Sequence, residues 1–463
     1  MKKEFSNLFK FDADVPFSEA FPLALQHVIA MIAACIAPPL IFAQTAGLSP
    51  EDSIILVQMS LVGSALTTLL MLYPIGKFGA KLPMIYGVSF AYLPTMLALA
   101  SQFQNVGGAG IVAIILGAQL IGAIASLIFA FTLKYILPYF PPLVSGTVVL
   151  CIGISLYPVA LTNMGGAGDV TEPGWGAWQY WLVAVITLIA NFSFTHFGKG
   201  IVSLSSLLFA MIVGYMVAYF FGMIDLTQVG EASWFSFVRP MHFGIKFEPS
   251  AIFSFVIIFI VTSIEGIGDI SSTTIGGYDR EPSGNELQGG LSAFSITNIL
   301  GAFIATLPTA TFSQNVGIIS INKVINKKVF STAAIMIFIS GLIPKLSSLL
   351  TTIPPAVIGG ATLSVFAIIT MNGIKMITSQ PLSMRNTSIV GTSVALGFGF
   401  TTVVSVAEAA GVIFMPESLK IAIGSSPVVL AAISAVLMNI LIPEKEEDKA
   451  TEPSVFEEEI FEK

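Results

Sequence analysis

An all-α protein that crosses a membrane many times is the fold class this sequence predicts, on three observations. Only 10% of its 463 residues are charged and 55% are hydrophobic, where a soluble domain carries about 25% charged. Mean hydropathy is +0.88. Apolar windows of about 20 residues, the length of a helix that spans hydrocarbon, recur along the whole chain. They fall at 20–44, 53–73, 85–103, 108–132, 141–162, 177–195, 200–223, 250–275, 287–307, 310–325, 329–350, 354–372, 387–407 and 422–442, so fourteen crossings are expected. The weakest are 85–103, which opens on Tyr86-Gly87-Val88-Ser89, and 310–325, which is short and polar.

The segments at either end of this series are polar. Residues 1–19 have too few apolar residues for a cleaved signal peptide, and the net charge of -7 gathers partly in the acidic tail 443–463. That tail reads as a solvated terminus with no nucleic-acid partner. Cys35 and Cys151 both lie in apolar runs and read as small packing residues, with no disulfide or metal site implied. No metal-ligand cluster, cofactor motif or nucleophile–base pair stands out, which argues against an enzyme.

Charge sets the expected orientation, because cytoplasmic loops collect Lys and Arg. With the amino terminus inside and fourteen crossings, sixteen of the twenty Lys and Arg fall on the inner side, leaving Arg239, Lys246, Lys345 and Lys420 outside. Both termini are therefore expected in the cytoplasm. Residues 224–249 form the longest outer segment and carry Trp234, Phe235, Phe237 and Phe243, which suits an interfacial stretch.

A short repeat suggests how the spans are arranged. Pro141-Pro142-Leu143-Val144-Ser145-Gly146 opens the fifth window and Pro354-Pro355-Ala356-Val357-Ile358-Gly359 the twelfth. Seven spans separate them, an odd number, so matching elements would point in opposite directions, as in the inverted repeats of secondary transporters. The third and tenth windows are also seven apart, and each sets an aromatic beside a serine, Ser89-Phe90 and Phe312-Ser313. Irregular backbone at that depth is tolerated only inside protein or along a cavity. Both are expected to be unwound and to face one cavity.

The polar residues inside these spans are the candidate site. In Thr262-Ser263-Ile264-Glu265-Gly266-Ile267-Gly268-Asp269, Glu265 follows a long apolar run and would lie deep in the membrane. An ionisable residue there is costly and marks a transport or proton site by default. Glu265 and Asp269 are four apart, on one helix face. Like charges so placed disfavour double ionisation, which makes one of the pair the natural proton carrier. The second polar stretch is Thr311-Phe312-Ser313-Gln314-Asn315-Val316-Gly317.

Gln314-Asn315-Val316-Gly317, followed by Ile318-Ile319-Ser320-Ile321-Asn322-Lys323, resembles the signature of the nucleobase-ascorbate transporter family. These nucleobase:cation symporters include xanthine, uric acid and uracil permeases. Gln26-His27, Gly87-Val88-Ser89-Phe90, Pro141-Pro142 with Gly146-Thr147, and Glu265-Gly266-Ile267-Gly268-Asp269 agree in order and place. The resemblance covers nearly the whole chain. It implies fourteen spans in two inverted sets of seven, with core-domain spans at 20–132 and 250–350 and gate-domain spans at 133–223 and 351–442. Short antiparallel strands in spans 3 and 10 would meet at the substrate. It further implies dimerisation through the gate, a bacterial cytoplasmic membrane, and proton symport by alternating access, with sodium used by some relatives. No cofactor or bound metal is implied.

Within that family the Glu265–Asp269 and Gln314–Asn315 pairs resemble the xanthine and uric acid branch, since uracil permeases tend to carry histidine and glutamate where Asp269 and Gln314 stand. Two departures are Asn322, where threonine is common, and Phe294, where many xanthine permeases have an aspartate. The residue chemistry agrees: a carboxylate accepts from ring N–H groups and a primary amide both donates and accepts, so Glu265 and Gln314 suit a lactam edge. Phe90 and Phe312 suit the ring faces, Ser313 and the backbone near it supply donors, and Ser89 leaves room for the extra carbonyl of uric acid. His27 and Asn315 are expected to tie spans 1, 8 and 10 together. Bland alternatives stand beside each: His27 as a satisfied core histidine, Asp269 as a structural acceptor, Asn315 as a helix cap, and the two phenylalanines as packing. Alternative functions are a uracil or other nucleobase symporter, or an inorganic anion transporter of related fold.

Overall fold

Capping residues and prolines place the helix ends much as the windows suggest. The computed structural model describes residues 5–167, 170–412, 415–416, 419–420, 424, 426–445 and 448. Most of the acidic tail 443–463, and part of the last window, lie outside them. Helix α1 runs Phe17–Thr45 and α2 Pro50–Leu72. The second opens on Ser49, whose hydroxyl accepts the Asp52 N–H, with Pro50 in the first turn, where its missing N–H costs nothing. Strand β1 is Tyr86–Val88, followed by a 3-10 turn Phe90–Tyr92 and α3 Leu93–Gln102. Then come α4 Gly108–Phe131, α5 Pro142–Ser155, α6 Tyr157–Met164, α7 Trp178–Phe197 and α8 Ser206–Phe220. The second half holds α9 Pro249–Tyr278, α10 Gly284–Phe303, β2 Thr309–Thr311 and α11 Ser313–Asn322. It continues with α12 Lys327–Gly341, α13 Pro344–Thr351, α14 Pro355–Ile377, α15 Met384–Ala409 and α16 Pro427–Leu441.

The chain is thus a predominantly helical, multi-pass membrane protein. Among the described residues eight spans are long and apolar enough to cross a membrane, with α5 and α6 counted together as one (Pro142–Met164), or nine when α12 and α13 count as one bent span. The window 329–350 is not a straight crossing: α12 and α13 meet at 79°. Ile343 is extended ahead of Pro344, as the ring of a following proline demands, so the helix cannot run through.

The two weakest windows are where regular helix gives way to strand. β1 and β2 pair antiparallel, with Tyr86 opposite Thr311, Gly87 opposite Ala310 and Val88 opposite Thr309. Each strand leads into a short helix, so strand–helix units from the two halves of the chain meet head to head.

Lipid gives helices no hydrophobic reason to associate, and close contact must come from small residues and buried hydrogen bonds. α5 and α14, which carry the repeated Pro-Pro motif, cross antiparallel on glycines. A Cβ at Gly146 would stand 2.8 Å from the Gly373 carbonyl oxygen, and one at Gly373 would stand 2.4 Å from the Leu150 nitrogen. α14 also packs on α6 and α7, and α15 on α16. A second set forms around α4, which packs on α9 and α10, while α12 packs on α1 and α2. Ser126 of α4 sits 2.8 Å from the Ser263 hydroxyl of α9 and 2.7 Å from the Ser295 hydroxyl of α10. This fully buried knot fixes the part of α9 that carries Glu265 and Asp269.

Residues 224–249 lie across the second set. Its backbone donates from Ser236 to Leu342, from Met241 to Phe303 and from Lys246 to Ala113. Lys345 at the start of α13 places its ammonium 4.8 Å from the Trp234 ring centre, a cation–π contact at the edge of the apolar region.

Candidate functional site

The site forms where α9 passes the ends of β1 and β2. A long helix with no proline after its first position holds Glu265 and Asp269 one turn apart, about 6 Å along the axis. The strand–helix breaks bring two chain ends to that face. Asp269 accepts the Thr311 hydroxyl and the Ser313 hydroxyl, the latter at 3.0 and 3.1 Å to its two oxygens. The Tyr92 hydroxyl lies 2.6 Å from the Thr262 hydroxyl and fastens the β1 unit to the same helix.

Asp269 therefore joins the two polar stretches. Its partners are side-chain hydroxyls. Thr311 was not singled out by sequence reasoning. Its signal is the strand period: residues two apart in extended chain share a face, so Thr311 and Ser313 reach one acceptor together.

Glu265 is half-buried, Gln314 is accessible, and neither side chain has a hydrogen-bond partner among the described residues. Gln314 follows directly on Ser313, the residue whose hydroxyl Asp269 accepts. Cβ atoms built at Gly268 on α9 and Gly317 on α11 would meet nothing within 4 Å, so both small residues border open space. An acceptor-only group and a donor–acceptor group left free in this way are suited to hold a polar, planar ligand by its edge.

The aromatic residues are more enclosed than the sequence suggested. Phe312 is buried over β1, and a Cβ at Gly87 would come 2.1 Å from its Cε2. Phe90 is buried too, edge-on to Phe366 of α14 at 5.2 Å between ring centres. Phe366 is thus a residue of the opposite helix set that sequence reasoning missed. The hydroxyl of Ser89 accepts the Ala91 N–H at 3.1 Å and caps the 3-10 turn.

His27 and Asn315 meet and join spans 1 and 10. Asn315 Nδ2 lies 3.0 Å from His27 Nδ1 and donates to the His27 carbonyl at 3.2 Å, joining α11 to α1. The His27 ring packs at 4.5 Å on Phe330 of α12, and none of these contacts reaches α9. Asn315 stands one residue beyond Gln314, about 100° around the helix, so it faces α1 while Gln314 faces outward. As an acceptor at Nδ1, His27 carries its proton on Nε2; that nitrogen and Asn315 Oδ1 are buried without a partner among the described residues.

Residues 18–406 match the model of the Xan_ur_permease family, a permease family. The chain belongs to the nucleobase-ascorbate transporter family. It is a permease and not an enzyme. It is 32% identical to the nucleobase transporter PlUacP of Paenibacillus larvae over 94% of this chain and 97% of that protein. It is 29% identical to the xanthine permease XanQ of Escherichia coli K12 over 94% of each chain. Among solved structures it shares its fold with the transmembrane domain of a cyanobacterial bicarbonate transporter, BicA. That match has a TM-score of 0.57 at 13% identity and covers 91% of this chain and 97% of that one.

Proposed function

We propose that this permease takes up an oxidised purine, xanthine and/or uric acid, together with a proton. One observation carries the reading: Glu265 and Gln314, from two spans pinned together by Asp269, have no hydrogen-bond partner among the described residues, and Gly268 and Gly317 on the same two helices border open space. A xanthine edge alternates N–H and C=O groups, and a carboxylate with a primary amide complements it. The relatives named for xanthine and nucleobase transport support the same class. The serine at position 89 leaves space consistent with uric acid, and the phenylalanine at 294 removes a carboxyl from the coupling route. A proton carried by Glu265 or Asp269 drives uptake.

The proposal includes fourteen spans in two inverted sets of seven, both termini in the cytoplasm, and a homodimer formed through the gate. Core spans (20–132, 250–350) would move against gate spans (133–223, 351–442) to expose the site alternately. The antiparallel pairings of β1 with β2 and of α5 with α14 support this arrangement. An inorganic anion is a poorer fit, because neither α9 nor α11 carries Lys or Arg.

The test is uptake of labelled xanthine by cells expressing the protein, competed with uric acid, hypoxanthine, uracil and sulfate, with and without a protonophore or sodium. Competition by uric acid and loss with the protonophore are expected; competition by sulfate alone would overturn the purine reading. Glu265→Gln should abolish accumulation, and full accumulation in that variant refutes the coupling role.

A further inference from the structure

We infer that Asn298 of α10 is a positioning residue for the substrate segment, its side-chain amide acting as a third strand on the β1–β2 ladder. The inference builds on the proposed purine site. Ser89 donates to the Pro308 carbonyl and Phe312 to the Ile85 carbonyl, at the two ends of the paired stretch. In an antiparallel ladder successive residues alternate between facing the partner and facing away. Thr309 is one of those that face away, so its N–H and C=O point off the outer edge of β2.

Such an edge inside a membrane protein needs a partner, since no water is at hand. Asn298 supplies both bonds that a neighbouring strand would make. Its Oδ1 accepts the Thr309 N–H at 2.8 Å, and its Nδ2 donates to the Thr309 carbonyl at 3.1 Å. Nδ2 also donates to the Phe294 carbonyl at 2.9 Å within α10, so the amide is fully used. Its own carbonyl is held by Gln119 of α4 at 3.0 Å, and the residue is 1% exposed. The outer edge of β1 is treated differently: Tyr86 N–H meets the Thr68 hydroxyl at 3.0 Å. Only a primary amide offers donor and acceptor together in this way.

Thr309 stands two residues before Thr311 and five before Gln314. A strand slip of one residue turns every side chain to the opposite face. It would carry Thr311 and Ser313 away from Asp269 and move Gln314 off the site. Asn298 thus fixes the register from which the ligand-facing residues project, without touching the ligand.

The experiment compares xanthine uptake by the full-length wild type, Asn298→Ala, Asn298→Asp and Thr309→Val at matched membrane levels. Asp keeps the acceptor and loses the donor; Val removes the Thr309 hydroxyl and leaves its backbone. KM should rise about tenfold in Asn298→Ala, the scale of one buried hydrogen bond, with Vmax little changed. Asn298→Asp should fall between, and Thr309→Val, which removes only a long 3.4 Å contact to the Thr67 hydroxyl, should stay closer to wild type than Asn298→Ala. An arm independent of substrate places cysteine at Gln314 in a Cys35→Ala, Cys151→Ala background and measures maleimide labelling. Asn298→Ala should change that rate. Unchanged KM with unchanged labelling overturns the inference, as does loss of both Asn298 variants from the membrane, which makes the residue a folding determinant. A wild type that ignores xanthine, with labelling still altered by Asn298→Ala, overturns the purine reading and leaves the anchor standing.

Discussion

The carboxylate of Asp269 on α9 holds the hydroxyl of Ser313 at 3.0 Å, at the first residue of α11. With Thr311 it clamps both sides of the point where strand becomes helix. Removing a buried acceptor leaves its donors unsatisfied, at about 1–3 kcal/mol each. Asp269→Ala should therefore lower uptake by about tenfold or more, while Asp269→Asn, which keeps one acceptor oxygen, recovers part. Radiolabelled uptake at matched membrane levels checks this; wild-type rates in Asp269→Ala would dismiss the clamp.

Gly87 lies directly beneath the Phe312 ring. A methyl group there collides at 2.1 Å, and overpacking of this kind costs about 1–3 kcal/mol. Gly87→Ala should raise KM by displacing the residue next to Ser313. A second change, Phe312→Leu, should restore part of the loss, a non-additivity that a double-mutant cycle would detect.

At the α5–α14 crossing, Gly373 has no room for a side chain, because its Cβ would meet the backbone nitrogen of Leu150 at 2.4 Å. Backbone cannot rotate aside as a side chain can. Gly373→Ala should separate the helices and destabilise the protein by about 1–3 kcal/mol. A lower melting temperature of the detergent-purified protein is the expected reading, with Gly391→Ala, which has open space around it, as the unaffected control.

Asn326 ties down the amino-terminal segment: its Nδ2 lies within 3.2 Å of the carbonyls of Asn7, Lys10 and Ala13, and its Oδ1 caps α12 at Lys328. Lys327 adds an ion pair to Asp12 at 2.5 Å. That ammonium holds the Asp12 carboxyl below the usual carboxylate range. A depressed folded-state value stabilises above the unfolded value of 3.8 and is lost only as pH falls through the folded one. Tryptic cleavage near Lys10 should thus be unchanged between about pH 8 and about pH 5, yet faster in Asn326→Ala and, less so, in Asp12→Asn. Pronounced release at the milder acidity would contradict the sign.

Much of the site was legible because its residues are out of place in a bilayer. Glu265, Asp269, Gln314 and Asn315 are polar groups in apolar runs, and Gly87 with Ser89 marks a helix that cannot continue. Thr311, Asn298, Phe366 and Phe330 were not legible, since threonine, asparagine and phenylalanine are ordinary residues in such spans and their roles exist only across long sequence separations.

The sequence by itself determined that the chain lives in a membrane and that windows 85–103 and 310–325 depart from regular helix, because hydropathy and glycine act locally; the break of window 329–350 at Pro344 emerged only in the structure. Tertiary structure alone decided that β1 pairs with β2 in one register, that Asp269 receives Thr311 and Ser313, and that Asn298 completes the ladder. Those bonds join segments far apart in the chain, and inside a bilayer each unpaired N–H or C=O costs several kcal/mol, so partner choice follows from which groups the packed helices leave within reach.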